Sequence, residues 1–164
     1  MACGAPSSGS ALAAEDSSRP SGRCHPSSGG SSSGWPGSEA GVVAIFAGRL
    51  LAREPCTING DGTQTRDYVF VADVARANLL AAERRHDGAL NVGTGIETDV
   101  NRLYRVLADA AGVADAPRHG PGKPGEQRRS CIDPSAAGPA LGWRPEVGIE
   151  DGLRRTLEWF RARR

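Results

Sequence analysis

An arginine stands at the mouth of a strand pattern in "GDGTQTRDYVF", residues 60–70. The stretch runs from a Gly60-Asp61-Gly62 turn through a polar segment to Arg66-Asp67, then into an aromatic and β-branched run. A guanidinium offers a rigid fork of donors that matches phosphate oxygens, and loops at strand ends are where ligands are usually met. The chemistry suggested is anion binding. A salt bridge to neighbouring Asp67, or a solvated side chain, is the structural alternative. A second basic group lies in "GKPGEQRRS", where Lys123, Arg128 and Arg129 flank Glu126 on a Gly/Pro loop. It can close over an anion or remain a solvated loop. A third stretch, "NVGTG" at 91–95, is a glycine loop behind a strand candidate. It lacks G-x-G-x-x-G, and the next helix begins only near Asp99, so its glycines are expected to serve a tight turn rather than a phosphate.

The elements that must position these residues begin after residue 40. More than half of residues 1–40 are Ser, Gly or Pro, and the larger apolar residues there are Met1, Leu12 and Trp35. Such a segment buries too little apolar surface to offset its ordering entropy and is expected to be disordered. The following "GVVAIFAGRLLA" carries Val43, Phe46, Ala47, Leu50 and Leu51 on one broad face and predicts a helix, Val42–Leu51, that Pro55 stops. "CTI" reads as a short strand and "DYVFVA" (67–72) as another. Asp73 suits an N-cap for a helix from Val74 to Arg85. "ALNVG" is a further strand candidate. Thr98 is placed to cap a helix, Asp99–Ala111, whose apolar positions Val100, Leu103, Tyr104, Leu107, Ala110 and Ala111 share one face, and Gly112 ends it. Ser130–Asp133 reads as a strand and "PSAAGPALGW" as a helical turn broken at Gly138-Pro139. The last helix, Ile149–Arg161, turns Leu153, Thr156, Leu157 and Phe160 inward. Surface pairs Glu150–Arg154 and Asp151–Arg155 are expected on it.

Alternating strands and helices indicate an α/β or α+β unit. With three or four short strands it cannot close a doubly wound sheet. The helices at 42–51 and 74–85 retain uncovered apolar surface, so the lobe is expected to pack on something else. The net charge of +1 on 164 residues leaves no footprint of a nucleic-acid or membrane-surface binder. No apolar run approaches the roughly 18 residues of a span, and no signal segment opens the chain. Cys3, Cys24, Cys56 and Cys131 form no C-x-x-C pair, and His25, His86 and His119 show no ligand spacing. The expectation is a reduced, cytoplasmic protein without a metal.

Taken in order, "GVVAIFAGRLL", "INGDGTQTRDYVFVADVARANLLA", "NVGTGIETDVNRLY", "PGEQRRSCIDPSAA" and "LGWRPEVGIEDGLRRTLEWF" closely resemble the C-terminal part of the NAD-dependent epimerase/dehydratase family. These are extended short-chain dehydrogenases acting on nucleotide sugars. The resemblance runs from about Gly41 to the end. It implies a division into residues 1–40, a disordered segment, and residues 41–164, an α/β C-terminal substrate-binding lobe without its Rossmann domain.

The resemblance also implies site residues. Arg66 stands where the family's R-D-[YF] arginine pairs with the nucleotide diphosphate. Lys123 takes the place of an arginine and Glu126 that of an acid in the R-P-G-E-type loop, which holds phosphate and ribose. A lysine keeps the charge but loses the bidentate fork. Pro55, Cys56 and Thr57 fall where the family wraps the base, and Asn59 stands where an aromatic is frequent. The implied ligand is a nucleotide sugar, a UDP-sugar foremost. NAD is the family's cofactor, held by an N-terminal Rossmann unit, so this chain alone is not expected to bind it. The family's base is the tyrosine of Y-x-x-x-K. Tyr68 and Tyr104 are followed four residues later by Ala72 and Ala108, so no catalytic residue is assigned and the chain alone is expected to be silent. The composition break suggests a truncated or frame-disrupted gene product, a natural tail being the alternative. Two arrangements stay open for the lobe: a silent epimerase-like remnant, or a non-catalytic nucleotide-sugar-binding module that docks on a separate Rossmann chain. A homodimer is a third association, carried over from family habit.

Overall fold

A computed structural model describes residues 41–164. The expected disorder of residues 1–40 lies outside the described residues. The elements run α1 (Val42–Leu51), β1 (Thr57–Asn59), β2 (Thr65–Asp67), α2 (Val71–Glu83), β3 (Glu97–Asp99), α3 (Val100–Ala111), β4 (Arg118–Gly120), α4 (Ala137–Leu141) and α5 (Ile149–Arg161). Strands β1 and β4 pair in parallel, and β2 and β3 pair antiparallel with Arg66 opposite Thr98. The result is an α/β lobe with two small two-stranded sheets among the described residues.

The main core lies where α1, α3 and α5 meet β1. Phe46, Leu50, Ile58, Leu103, Leu107 and Leu157 are buried there, and Phe46 meets Tyr104 edge to face at 5.6 Å. The helical period of α3 and α5 dictates this burial, because apolar residues three and four apart form one stripe that must leave water. Tyr104 donates its hydroxyl to the Asp115 carbonyl at 2.6 Å and is a core residue, as expected. A second core joins α2 to α4: Ala77, Ala137, Leu141 and Trp143 are buried together, with Leu90 and Val92 packed against them.

Several expected elements shift. The strand placed at 67–72 starts two residues earlier and is shorter, at Thr65–Asp67, and α2 starts at Val71. Asp73 is therefore not an N-cap. It lies in the first turn of α2, 3% exposed, and accepts backbone N–H groups of Glu146 and Val147 at 3.1 and 2.9 Å instead of those of its own helix. Asp99, not Thr98, caps α3, accepting the Arg102 N–H at 2.8 Å; Thr98 is buried in β3. Gly112 ends α3 in the left-handed region, as expected. The "ALNVG" segment forms no strand; its Leu90 and Val92 pack against the cluster around Trp143. The 130–133 segment is not a strand either. Its pairing with β2 ends at Ser130, whose N–H donates to the Thr65 carbonyl at 3.2 Å. Strand β4 was hidden in a Pro/Gly loop without β-branched residues. Helix α4 is not broken at Gly138-Pro139, because Pro139 falls in its first turn, where no N–H is needed.

Of the expected surface pairs, Asp151–Arg155 forms at 2.7 Å, whereas Glu150 pairs with Arg102 of α3 at 3.6 Å. Uncovered apolar surface is present, as expected: Val71 and Leu79 of α2 are 73% and 58% exposed. No described helix is long and apolar enough to cross a membrane, and among the described residues no cluster of His, Cys, Asp and Glu is placed to hold a metal.

Candidate functional site

Strand alternation sends Arg66 and Asp67 to opposite faces of β2. Arg66 enters a cleft of about 210 Å³ between α1, β1 and the loop after β4. Its Nη1 donates to the Thr65 and Gln127 carbonyls, both at 2.7 Å. Its Nη2 stands 3.7 Å from Glu126 Oε1, and each side chain of that pair is 32% exposed. The salt bridge to Asp67, one alternative for Arg66, does not form.

Asp67 fills the glycine loop instead. The Thr94 N–H donates to both carboxylate oxygens, at 2.9 and 3.0 Å, and the Gly95 N–H donates at 2.9 Å. A Cβ on Gly93 would lie 2.7 Å from Asp67 Oδ2, which is why glycine stands there. Burial alone raises the Asp67 pKa, but the bonds from Thr94, Gly95 and Ile132 outweigh it and hold the carboxyl below the usual range. The "NVGTG" loop is thus an anion cradle whose anion is the protein's own carboxylate. The Thr94 and Gly95 N–H groups are both taken by that carboxylate.

The cleft has an apolar floor of Val42, Ile45, Phe46, Ile58 and Val100 and a polar rim of Thr57, Asn59, Gln64, Arg66, Lys123 and Glu126. Arg66, Lys123, Glu126 and Thr57 therefore converge. Pro55 and Cys56 do not. Pro55 is exposed and uses its carbonyl to accept from Arg49 at 3.1 Å. Cys56 is 2% exposed, its thiol among core side chains. Burial pushes that thiol up, with Arg49 opposing and Glu54 adding. In a short strand neighbours alternate, so Thr57 turns outward to the rim between Cys56 and Ile58, which are buried.

Sequence reasoning missed Gln64 and Tyr68. Gln64 Nε2 donates to the Asn59 carbonyl at 3.0 Å, closing the turn between β1 and β2. The polar run around Arg66 was its signal. Tyr68 lines the cleft just beyond β2. Burial raises its phenol, with the Arg66 charge opposing and Glu126 adding, which sets the ring beside both. The apolar floor had no signal beyond the helical stripe, because floor and core draw on the same residue types.

The loop at 121–130 forms a strap across this cleft. Its far end is tied by Arg128, which donates to Asp61 Oδ2 at 3.2 Å and Thr63 Oγ1 at 3.0 Å, and by Arg129, which donates twice to Glu97 at 3.1 and 2.8 Å. The Thr63 backbone N–H, then its hydroxyl, then Arg128 hold Asp61 down to about 2. The Thr65 N–H donates to the Arg128 carbonyl at 2.8 Å. Arg128 and Arg129 therefore fasten the strap and do not enter the cleft. At its near end, the exposed His119 meets the Gly60 carbonyl through Nδ1 at 2.8 Å.

Residues 25–93 match the model of the NAD dependent epimerase/dehydratase family, a match that starts upstream of Gly41. UDP-glucose 4-epimerase of Mycolicibacterium smegmatis is 46% identical over 127 residues, covering 77% of this chain and 41% of that relative. The crystal structure of Thermotoga maritima UDP-glucose 4-epimerase with UDP-glucose superposes with a TM-score of 0.73 at 45% identity, over 77% of this chain and 41% of that one. The Thermus thermophilus UDP-glucose 4-epimerase in complex with NAD gives a TM-score of 0.67 at 43% identity, over 75% and 40%. The chain thus spans about two fifths of the length of these relatives, 41% of the first. On the motifs in sequence order, the lobe they build and the similarity spanning it, the chain belongs to the NAD-dependent epimerase/dehydratase family and is similar to a C-terminal part of UDP-glucose 4-epimerase.

Proposed function

We propose that residues 41–164 are the nucleotide-sugar-binding lobe of an epimerase/dehydratase-type protein, and that the Arg66 cleft takes the diphosphate of a UDP-sugar. One observation carries this reading: Arg66 and the sequence-distant loop residues Lys123 and Glu126 meet on the rim of one cleft with an apolar floor. The guanidinium and ammonium supply charge for the diphosphate, the carboxylate can accept from ribose hydroxyls, and the apolar floor with Thr57 can hold the flat base. The setting is cytoplasmic carbohydrate metabolism.

The chain turns over no nucleotide sugar by itself in this reading. Hydride transfer needs a bound dinucleotide and a base that takes the sugar hydroxyl's proton. The Tyr104 hydroxyl is bonded to Asp115 inside the core, and the phenol of Tyr68 is pushed up rather than down. Neither is poised as a base at neutral pH. Calorimetry of the full chain with UDP tests the binding. Weak binding is expected, short of the roughly 8 kcal/mol of a micromolar complex, and Arg66→Ala should weaken it further. Equal heats from both proteins would remove Arg66 from the site, and epimerase turnover by the purified chain would refute silence.

A second reading, a non-catalytic module completed by a separate Rossmann chain, is favoured by one observation. An open apolar groove of about 290 Å³ lined by Val43, Phe70, Val71, Ile149 and Leu153 continues the uncovered surface of α2. Co-expression with the N-terminal half of the Mycolicibacterium smegmatis relative separates the readings. Co-purification with turnover supports docking, and its absence leaves the lobe silent.

A further inference from the structure

Arg66 has two partners on the strap and one on its own strand. Nη1 holds the Gln127 carbonyl at 2.7 Å as well as that of Thr65, while Nη2 faces the Glu126 carboxylate at 3.7 Å. Gln127 and Glu126 belong to the strap, whose remaining anchors lie at β4 on one side and at Arg128–Ser130 on the other. Between these anchors, among the described residues, the side-chain hydrogen bond and ion pair from the body of the lobe to the strap are made by Arg66. Gly125 has a positive φ of 76°, and the Glu126 N–H turns back to the Lys123 carbonyl at 3.2 Å, so the segment is a tight turn presenting Glu126 inward.

We infer that Arg66 latches the strap in the ligand-free protein and that Glu126 competes with an incoming anion for it. This rests on reading the cleft as a diphosphate site, and it adds how that site opens. The two halves of the guanidinium differ. Nη1 makes two short bonds to carbonyls, which an anion cannot replace without unfastening the strap. Nη2 has only a loose pair with a half-exposed carboxylate, outside hydrogen-bonding distance and screened by water. A phosphoryl oxygen that approaches Nη2 displaces Glu126 and leaves Nη1 in place. With Glu126 beside it, the rim carries Arg66 and Lys123 against one carboxylate. When Glu126 swings away, two positive charges face the anion. A ligand with several negative charges gains most from that exchange, so the competitor favours a diphosphate over a monoanion.

Inorganic pyrophosphate separates competition from any contact Glu126 makes to ribose, because it has no ribose. On the full chain, Glu126→Gln is expected to bind pyrophosphate about two- to fivefold more tightly than the wild type, the scale of a half-exposed ion pair. Amide hydrogen exchange without ligand tests the latch: residues 125–127 should exchange several-fold faster in Arg66→Ala, with β2 and α3 protection retained as the sign of an intact fold. Unchanged exchange at 125–127 overturns the latch, whatever the ligand data. Equal or weaker pyrophosphate binding by Glu126→Gln overturns the competition, and if UDP still binds the wild type, the cleft reading survives that result. Absence of both UDP and pyrophosphate binding in either protein overturns the cleft reading and the competition together.

Discussion

Two arginine–carboxylate pairs in this lobe behave as different devices. Arg76 Nη2 meets Asp73 Oδ1 at 2.9 Å, and the Asp73 side chain is 4% exposed. The carboxylate also takes the Glu146 and Val147 N–H groups. The Asp73 carbonyl accepts from Trp143 Nε1 at 2.8 Å, and the Arg76 guanidinium lies 5.9 Å from the Trp143 ring centroid. The Asp73 carboxylate is satisfied within the protein, although the Arg76 side chain is 29% exposed, and the cluster ties α2 to the segment entering α5. Arg66 and Glu126 stand 3.7 Å apart, with a third of each side chain in water. The first pair has no room for a ligand and would be costly to open. The second has a partner that can be exchanged. Saturation of hydrogen bonding and burial, not residue type, separates a clamp from a site.

The comparison breaks most directly at Asp73. Asp73→Ala leaves two part-buried N–H groups without their acceptor and Arg76 without its closest carboxylate, and should lower unfolding stability by about 3 kcal/mol. Urea denaturation followed by tryptophan fluorescence measures it, and a loss under about 1 kcal/mol would make the clamp no different from the Arg66 pair. Asp67 should come next. Asp67→Ala empties the glycine loop and is expected to cost about 2 kcal/mol, read from the same curves.

Acid sharpens the contrast. Burial raises the Asp73 carboxyl, but Arg76 and the Val147 and Glu146 N–H groups together carry it below its ordinary 3.8. Asp67 is lowered likewise. A carboxyl whose folded pKa lies below its unfolded value stabilises the fold above the unfolded value, and that stabilisation is lost as pH falls through the folded one. Stability should therefore be level from neutral pH down to the neighbourhood of 3.8 and then decline. Asp73→Ala should show a shallower decline over the same window in denaturation midpoints.

Arg66→Ala should weaken UDP binding at least about tenfold, roughly 1.4 kcal/mol, while moving stability by less than about 1 kcal/mol. Paired calorimetry and denaturation decide it. A large stability loss without a binding change would turn Arg66 into a second clamp. The smallest effect belongs to Glu126→Gln, whose midpoint should stay within about 0.5 kcal/mol of the wild type in the same urea series, since it lacks a close, buried partner.

What the sequence determined was local. The stripes of α1, α3 and α5 are set by a 3.6-residue period that leaves one face no alternative to burial. Gly112 could be placed because an αL end needs no Cβ. Arg66 could be singled out because its residue type at a strand mouth suits anions. Tertiary structure decided what lay between distant segments. Asp73 looked like a cap because the acceptor chemistry is the same whether the N–H belongs to its own helix or to Val147. The glycine loop read as a tight turn, and nothing within 91–95 shows that Asp67 fills it. Cys56 looked like a neighbour of the site, but a one-residue alternation in β1 turned it into the core and Thr57 outward. Lys123 and Glu126 face Arg66 across the cleft because β4 pairs with β1 and the strap is fastened to Asp61, Thr65 and Glu97. Hydrophobic period is carried within a segment, whereas the partner of a polar group is chosen by the whole fold.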